Sequence, residues 1–203
     1  GITRPLAENI TRWQDHTDPT AELKKAADLG AHVITAQDDE YPPALREIHD
    51  PPIVLYVRGN LTERDRHAVA VVGSRKATHY ATECAKKLSF QIAYAGLTIV
   101  SGLARGIDTA AHQGALAAKG RTIAVIGSGL GCLYPPENAE LAERIAASGA
   151  VISEFPIDTA PDRQTFPIRN RIVTGCSFGV LVVEAGANSG ALISANMAAE
   201  QGR

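Results

Sequence analysis

The sequence predicts an α/β protein with a mainly parallel sheet that is covered by helices on both faces. From about residue 68 onward, short apolar segments of strand length alternate with longer segments of helical periodicity. The strand segments are mostly apolar and do not alternate between polar and apolar positions, which is typical of parallel strands buried on both faces. Several of them end at glycine-containing turns, where a strand gives way to the helix that follows.

The first 60 residues are predicted to form a short N-terminal extension. A helix is expected over Pro19–Leu29, with Thr20 as its cap and Gly30 ending it. A strand is expected at His32–Thr35, and Val54–Val57 has the pattern of an edge strand. Two Pro-Pro pairs between these strands favour extended chain and turns.

Residues 61–203 are predicted to form one domain of alternating strands and helices. The predicted strands are Ala68–Val72, Leu97–Val100, Thr122–Ile126, Val151–Ser153 and Val180–Val183. The predicted helices are Thr78–Ala95, Gly106–Ala118, Asn138–Ala147, Arg169–Cys176 and Ser189–Gly202. Right-handed crossovers between parallel strands would bring the carboxyl ends of all these strands to one edge of the sheet.

Composition restricts the possible functions. Only 5% of the 203 residues are aromatic, which argues against a broad aromatic platform for stacking nucleobases. The net charge is −2, so any site for a polyanion has to be local. The three cysteines are far apart and have no metal-ligand spacing, which favours a reducing, cytoplasmic setting. We find no apolar run of membrane length, and we expect no membrane contact.

Four glycine-rich turns are expected to meet at the carboxyl edge of the sheet. They are Gly73–Arg75, Ser101–Gly106, Gly127–Gly131 and Ala185–Gly190. Glycine lets backbone N–H groups approach a ligand, and helix N-termini favour anions. For any one turn, a tight reversal of the chain is a sufficient explanation. The four turns together, each with a serine, indicate a phosphate-binding edge.

Arginines accompany these turns. Arg75 and Arg105 lie in the first two turns, and Arg169 and Arg171 flank Asn170. A guanidinium can donate two hydrogen bonds to phosphate oxygens, so these side chains are candidate phosphate ligands. For Arg169 and Arg171 the alternative is an ion pair with Glu154 or Glu184. The dinucleotide fingerprint and the P-loop motif are both absent from the sequence.

Catalytic residues are hard to assemble from the sequence. Asp108 and His112 are four residues apart and share a helix face, but a structural role is favoured for both over an acid–base pair. Glu184 is a lone carboxylate at the same edge, and it could act in catalysis or orient an arginine. We therefore expect no catalytic residue, no metal site and no cofactor.

The same motifs occur in order from about Asp38 to Arg203 as a recognisable set. They are Gly73-Ser74-Arg75, Ser101–Asp108, Ala111-His112, Thr122–Leu130, Tyr134-Pro135, Asn138, Ser153–Pro156, Phe166–Ile172, Val182–Ala185 and Ser189-Gly190. As a set they resemble the DprA/Smf family of DNA-processing proteins. The resemblance implies an extended Rossmann-like fold that binds single-stranded DNA, protects incoming DNA and helps load a RecA-type recombinase in natural transformation. It also implies a homodimer.

Candidate DNA-binding residues follow from the turns, the arginines and the family pattern, in which the Gly-Ser-Arg turn is a principal contact. They are Gly73, Ser74, Arg75, Ser101, Gly102, Arg105, Gly106, Gly127, Gly129, Arg169, Asn170, Arg171, Ser189 and Gly190. The sequence departs from the family at Gly131, where an acid is usual, and at Pro136, where some relatives have a DNA-contacting lysine. Relative to that pattern we expect truncation at the C-terminus, where a final strand and a winged-helix-like module would follow, and only a remnant of the N-terminal helical domain.

Two other functions remain open at this point. One is an N-glycoside phosphoribohydrolase of the lysine-decarboxylase-like fold, for which Glu184 would be the candidate carboxylate. The other is a sensor that binds a small phosphorylated nucleotide at the same edge of the sheet.

Overall fold

The computed structural model describes residues 3, 8–9, 11–12, 18–186 and 189–203. Within these residues seven strands form one sheet. The strands are β1 Ala31–Thr35, β2 Val54–Gly59, β3 Ala68–Val72, β4 Thr98–Ser101, β5 Thr122–Val125, β6 Ala150–Ser153 and β7 Gly179–Val182. The helices are α1 Pro19–Asp28, α2 Pro43–Arg46, α3 His79–Tyr94, α4 Ile107–Ala117, α5 Ala139–Ser148, α6 Thr165–Gly175 and α7 Gly190–Glu200.

The strand order is β1-β2-β6-β5-β4-β3-β7. The five strands from β6 to β7 are parallel to one another, and β2 and β1 are added as antiparallel strands beside β6. This arrangement confirms the predicted α/β class with a mainly parallel sheet. The prediction that Val54–Val57 is an edge strand is wrong, because β2 lies between β1 and β6, and β1 is the edge.

The chain changes direction across the sheet at β3. After β3 it builds β4, β5 and β6 on one side, and it then returns to place β7 on the other side of β3. In open α/β sheets a crevice forms outside the carboxyl ends of the strands at such a switch point. The residues that follow β3 and β7 are therefore positioned to form a site.

Helices cover both faces of the sheet. In β3, Val71 packs in a core with the buried alanines of α3 and α4. Its neighbours Ala70 and Val72 belong to a second core that includes residues of α6 and α2. Successive side chains of a strand point to opposite faces, so β3 is covered on both sides, as its unbroken apolar sequence predicts.

The predicted N-terminal extension, residues 1–60, contributes β1 and β2 to the same sheet. The predicted Thr20 cap of the first helix is wrong, because the carboxylate of Asp18 accepts the backbone N–H groups of Thr20 at 2.9 Å and Ala21 at 3.1 Å. Pro19 then occupies the first turn, where no intrahelical donor is needed.

Helix α6 begins at Thr165, four residues before the predicted start at Arg169. Pro167 is tolerated there because the first-turn N–H groups of a helix have no intrahelical acceptor. Across the part of the chain that the structure describes, no helix has both the length and the apolar character needed to cross a membrane.

Candidate functional site

A cleft with a volume of about 850 Å³ opens at the carboxyl ends of β3 and β4. Its walls come from the turns after these two strands, from the loop and helix over residues 161–173, and from the start of α7. Eight of the predicted site residues line it together: Gly73, Ser74, Arg75, Gly102, Arg169, Asn170, Ser189 and Gly190. Residues 187 and 188 of the predicted fourth turn lie outside the described residues.

The turn after β3 is held by backbone hydrogen bonds on both sides. The Ser74 N–H donates to the Glu184 carbonyl at 2.8 Å, and the Ser74 carbonyl accepts the Ile107 N–H at 3.2 Å. Gly106 has a φ of +75°, and a Cβ there would lie 2.2 Å from the Ser74 carbonyl oxygen. Gly106 is thus required for the close approach of two turns, and it supports the cleft from behind.

Arg75 leaves this fixed turn at the mouth of the cleft. Its side chain is exposed, and its guanidinium carbon lies 5.0 Å from the centroid of the Phe166 ring. Among the described residues no acid pairs with it. An unpaired guanidinium over an aromatic face keeps its hydrogen-bond donors available for a ligand.

Arg169 forms part of the floor of the cleft. It is 3% exposed, its Nη1 donates to the Val125 carbonyl at 2.6 Å, and it packs so closely on Gly102 that a Cβ there would lie 1.8 Å from Nη1. Burial lowers the pKa of Arg169 to about 10, so the group stays charged at neutral pH. Its burial makes it a fixed positive charge beneath the cleft.

Asp108 balances that charge and holds the second turn. Its carboxylate accepts the N–H groups of Gly102 at 3.1 Å and Ala104 at 3.3 Å. Burial raises the pKa of Asp108, while the nearby Arg169 acts in the opposite direction. The carboxylate therefore has a structural role at the start of α4.

His112 does not pair with Asp108. Its Nδ1 lies 2.7 Å from Oγ1 of Thr122, whose hydroxyl donates to the Ile99 carbonyl. The ring is fully buried, and burial lowers the pKa of His112 to about 3. A neutral imidazole in the core is poorly placed to exchange protons with a ligand in the cleft.

Glu184 contacts the start of α3. Its carboxylate accepts the Thr78 hydroxyl at 2.7 Å and the Thr78 N–H at 3.2 Å. In the described part of the chain it makes no ion pair with an arginine. Its side chain therefore joins the turn after β7 to the helix after β3, and the alternative in which Glu184 orients an arginine is not seen among the described residues.

Four other predicted residues support the walls of the cleft from outside its lining. The Ser101 hydroxyl is buried and donates to the Val71 carbonyl at 2.6 Å. A Cβ on Gly127 would lie 2.8 Å from the Phe166 ring, and one on Gly129 would lie 2.0 Å from the Pro156 carbonyl oxygen. The Arg171 guanidinium is bound by Glu154, with Nη1 at 2.7 Å from Oε2. For Arg171, the alternative of an ion pair with Glu154 is therefore the correct one.

Arg105 lies beside the cleft, at a small adjoining cavity shared with Arg75 and the two rings of Tyr134 and Phe166. The Arg105 guanidinium is hydrogen-bonded to the carboxylate of Glu137, lies 3.2 Å from the Tyr134 hydroxyl, and sits 5.5 Å from the centroid of the Tyr134 ring. Both partners of the ion pair are about half exposed. Arg105 is therefore a cation near the cleft that already has a carboxylate partner.

Sequence reasoning missed two cations of the cleft, Lys76 and Arg163. Both are exposed, and neither has an acidic partner within the described ranges. Lys76 directly follows the Gly-Ser-Arg turn, so its position could have identified it. Arg163 lies in a proline-rich loop, and only the tertiary fold brings it to the cleft.

The cleft has a local positive surplus although the chain is acidic overall. Its charged lining has four cationic side chains and two acidic ones. The cations are Arg75, Lys76, Arg163 and Arg169, and the acids are Asp108 and Asp162. The N-terminus of α7 adds N–H groups without intrahelical acceptors and the positive end of the helix dipole. No cluster of metal-ligand side chains occurs among the residues that the structure describes. The geometry suits a phosphate-containing chain.

Comparison with known proteins identifies the family. A family model described as DNA recombination-mediator protein A matches residues 32–203. The chain belongs to this family. The resemblance to DprA/Smf proteins that the sequence motifs predict is therefore confirmed. Protein Smf of Synechocystis is 42% identical over 207 residues, which cover 100% of this chain and 52% of that relative. The chain thus spans about half the length of that relative.

Two solved structures of DprA proteins share the fold. DprA from Streptococcus pneumoniae is 40% identical with a TM-score of 0.88, covering 99% of this chain and 70% of the other. DprA from Helicobacter pylori, whose structure concerns its single-stranded DNA binding mode, is 32% identical with a TM-score of 0.75, covering 84% and 77%. These matches confirm the extended Rossmann-like fold expected of a DprA/Smf protein.

Proposed function

We propose that this chain binds single-stranded DNA in the cleft and catalyses no reaction on it. The observation that carries the proposal is the guanidinium of Arg75, which has no acidic partner among the described residues and is held on a fixed turn at the mouth of a cleft with a positive surplus. Membership of a DNA recombination-mediator family supports it, as does the Helicobacter pylori relative.

Each wall of the cleft has a role in this proposal. Arg75 donates to phosphate oxygens in a forked geometry, and Lys76 and Arg163 neutralise neighbouring phosphates. The first N–H groups of α7, at Gly190 and Ala191, bind a phosphate as helix N-termini do. Because these contacts are made to the backbone of the DNA, binding tolerates many sequences.

The proposal that the chain is not catalytic is supported by the structural roles of the three candidate catalytic residues. Asp108 is buried and holds two backbone N–H groups, His112 is buried and neutral, and Glu184 is bound by Thr78. A nucleotide hydrolase acting in this cleft would release free base from nucleoside monophosphates. Turnover that is lost in a Glu184→Gln variant would contradict the proposal.

We further propose that the protein protects incoming DNA and helps load a RecA-type recombinase during natural transformation, as a cytoplasmic homodimer. The family's description as a recombination mediator supports this role. Sedimentation would give the oligomeric state, and nuclease protection with recombinase-driven strand exchange would test the activity.

Fluorescence anisotropy with labelled oligonucleotides across a salt series tests the binding proposal. We expect a preference for single strands over duplex, and an affinity that falls with salt by a log–log slope of roughly −0.7 per phosphate contacted. Arg75→Ala should weaken binding about 10- to 100-fold for all sequences and reduce the slope by about 0.7. The matched control is Arg64→Ala, which removes the same charge near the opposite end of β3. Unchanged binding in Arg75→Ala would overturn the proposal.

A further inference from the structure

Helix α3 has an exposed stripe opposite its buried face. The buried positions are Ala81, Ala85, Ser89 and Ala93. On the opposite side, Tyr80, Lys87 and Tyr94 recur every seven residues, which is close to two turns of a helix. Tyr80 is 79% exposed and Tyr94 is 78% exposed.

This concentration of exposed rings is unusual for the chain. The sequence has only five tyrosines, four phenylalanines and one tryptophan, yet three of these aromatic residues are exposed on one helix. The rings of Phe90 and Tyr94 are nearly parallel, with an interplanar angle of 6° and centroids 6.0 Å apart. Such a pair presents flat π surface to water, and large exposed apolar groups that cluster commonly mark interaction sites.

The charges on this face favour a polyanion. Lys87 lies at the centre of the stripe, is exposed, and has no acidic partner in the described part of the chain. The neighbouring acid, Glu83, is paired with Lys86 at 3.3 Å. An aromatic surface interrupted by a free lysine at its centre is a poor match for an apolar protein partner, which would have to bury that charge.

The stripe begins near the cleft. Lys76, which lines the cleft, precedes Tyr80 by four residues, and Glu184 holds the start of α3 against the turn after β7. From Tyr80 to Tyr94 the helix rises about 21 Å at roughly 1.5 Å per residue. A strand that leaves the cleft beside Lys76 therefore reaches the stripe directly.

We propose that this stripe, formed by Tyr80, Lys87, Phe90 and Tyr94, is a second binding surface for single-stranded DNA. The inference rests on the proposed function of the cleft and extends it along α3. Bases stack on the exposed rings, which tolerate any sequence because every base has a π face, and Lys87 neutralises a phosphate between them. The cleft and the stripe then form one track, with phosphate contacts at its start and stacking along its length.

Oligonucleotides of two lengths test the inference. One has about six nucleotides and fits the cleft alone, and the other has about sixteen and reaches the stripe. We expect the double variant Tyr80→Ala/Tyr94→Ala to bind the longer strand more weakly, by about tenfold for each stacking contact that is lost. Its affinity for the shorter strand and the salt dependence of its affinity should be unchanged. Lys87→Ala should reduce the slope for the longer strand alone by about 0.7.

Tyr94→Trp serves as the conservative control, because its ring still stacks. It should retain the affinity for the longer strand, and its fluorescence should be quenched when that strand is added. Arg75→Ala should weaken binding of both lengths, so it reports on the cleft independently of the stripe.

The outcomes separate the two proposals. If the tyrosine variants bind the longer strand as the wild type does while Arg75→Ala remains weak, the stripe is refuted and the cleft stands. A loss of self-association in the tyrosine variants, with DNA affinity unchanged, would also refute it by showing a protein interface. If Arg75→Ala affects neither length, the proposed function of the cleft fails.

Discussion

The buried charges of Asp108 and Arg169 give the most direct test of how the cleft is built. The two residues are 7% and 3% exposed, and each shifts the pKa of the other by its charge. Asp108→Asn keeps the shape of the side chain but removes its charge, which leaves the Arg169 guanidinium buried without a counter-ion. The two side chains interact through their charges without a direct ion pair among the described contacts, so the cost is that of a buried charge that loses a nearby counter-charge, about 1–3 kcal/mol. That is measurable against the roughly 5–15 kcal/mol of a typical folded domain.

The assay is urea denaturation followed by circular dichroism, applied to a double-mutant cycle. Arg169→Met alone should also destabilise the fold, because it leaves the Asp108 carboxylate without its cation. Asp108→Asn/Arg169→Met removes both charges, so its cost should be smaller than the sum of the single costs by about 1–3 kcal/mol. If the single costs simply add, the two charges are not coupled and this account of the cleft floor is wrong. DNA binding measured on the same proteins should weaken in every variant that lacks the Arg169 charge.

Two further predictions concern a buried histidine and an exposed ion pair. Burial lowers the pKa of His112 to about 3, so between that value and about 6.5 the unfolded chain binds a proton that the folded chain does not. The free energy of unfolding should therefore fall as the pH drops below about 6.5, by up to roughly 1.4 kcal/mol per pH unit from this group. In His112→Gln, the midpoint of urea denaturation should depend less steeply on pH than in the unsubstituted protein. Glu137→Gln removes the carboxylate that competes for Arg105, so we expect about threefold tighter binding of single-stranded DNA at low salt by anisotropy. The gain should vanish in Arg105→Ala/Glu137→Gln, and a gain that persists there would show that Arg105 is not responsible.

Elements defined by local pattern could be predicted closely from the sequence. Ala68–Val72 is apolar at every position and stops at Gly73, and the strand has the predicted bounds. The edge position expected for Val54–Val57 was wrong because β2 pairs with β6, which follows it by about ninety residues, and no local signal reports that pairing. The Thr20 cap was wrong because both Asp18 and Thr20 are good caps, and the side-chain geometry decides between them.

The candidate site was predictable as a set of turns but not as a set of contacts. The glycines that follow the strands indicated the edge of the sheet at which the cleft lies. Which arginines are available there depends on their tertiary neighbours. Arg171 is bound by Glu154 and Arg105 by Glu137, whereas Arg75 has no acidic partner in the part of the chain that the structure describes. The stripe on α3 was visible in the sequence as tyrosines fourteen residues apart with a lysine midway, but their exposure required the structure.

The two hydrogen bonds that fix Ser74 affect how fast and how tightly a ligand is captured. Because the Ser74 N–H and carbonyl are both bound to neighbouring turns, we expect the backbone that presents Arg75 to keep its conformation when a strand binds. Little conformational entropy is then lost on association, and more of the phosphate attraction remains as affinity. A preorganised receptor of this kind should load strands in a single kinetic phase, at a rate that depends on ionic strength and DNA concentration rather than on rearrangement of the protein.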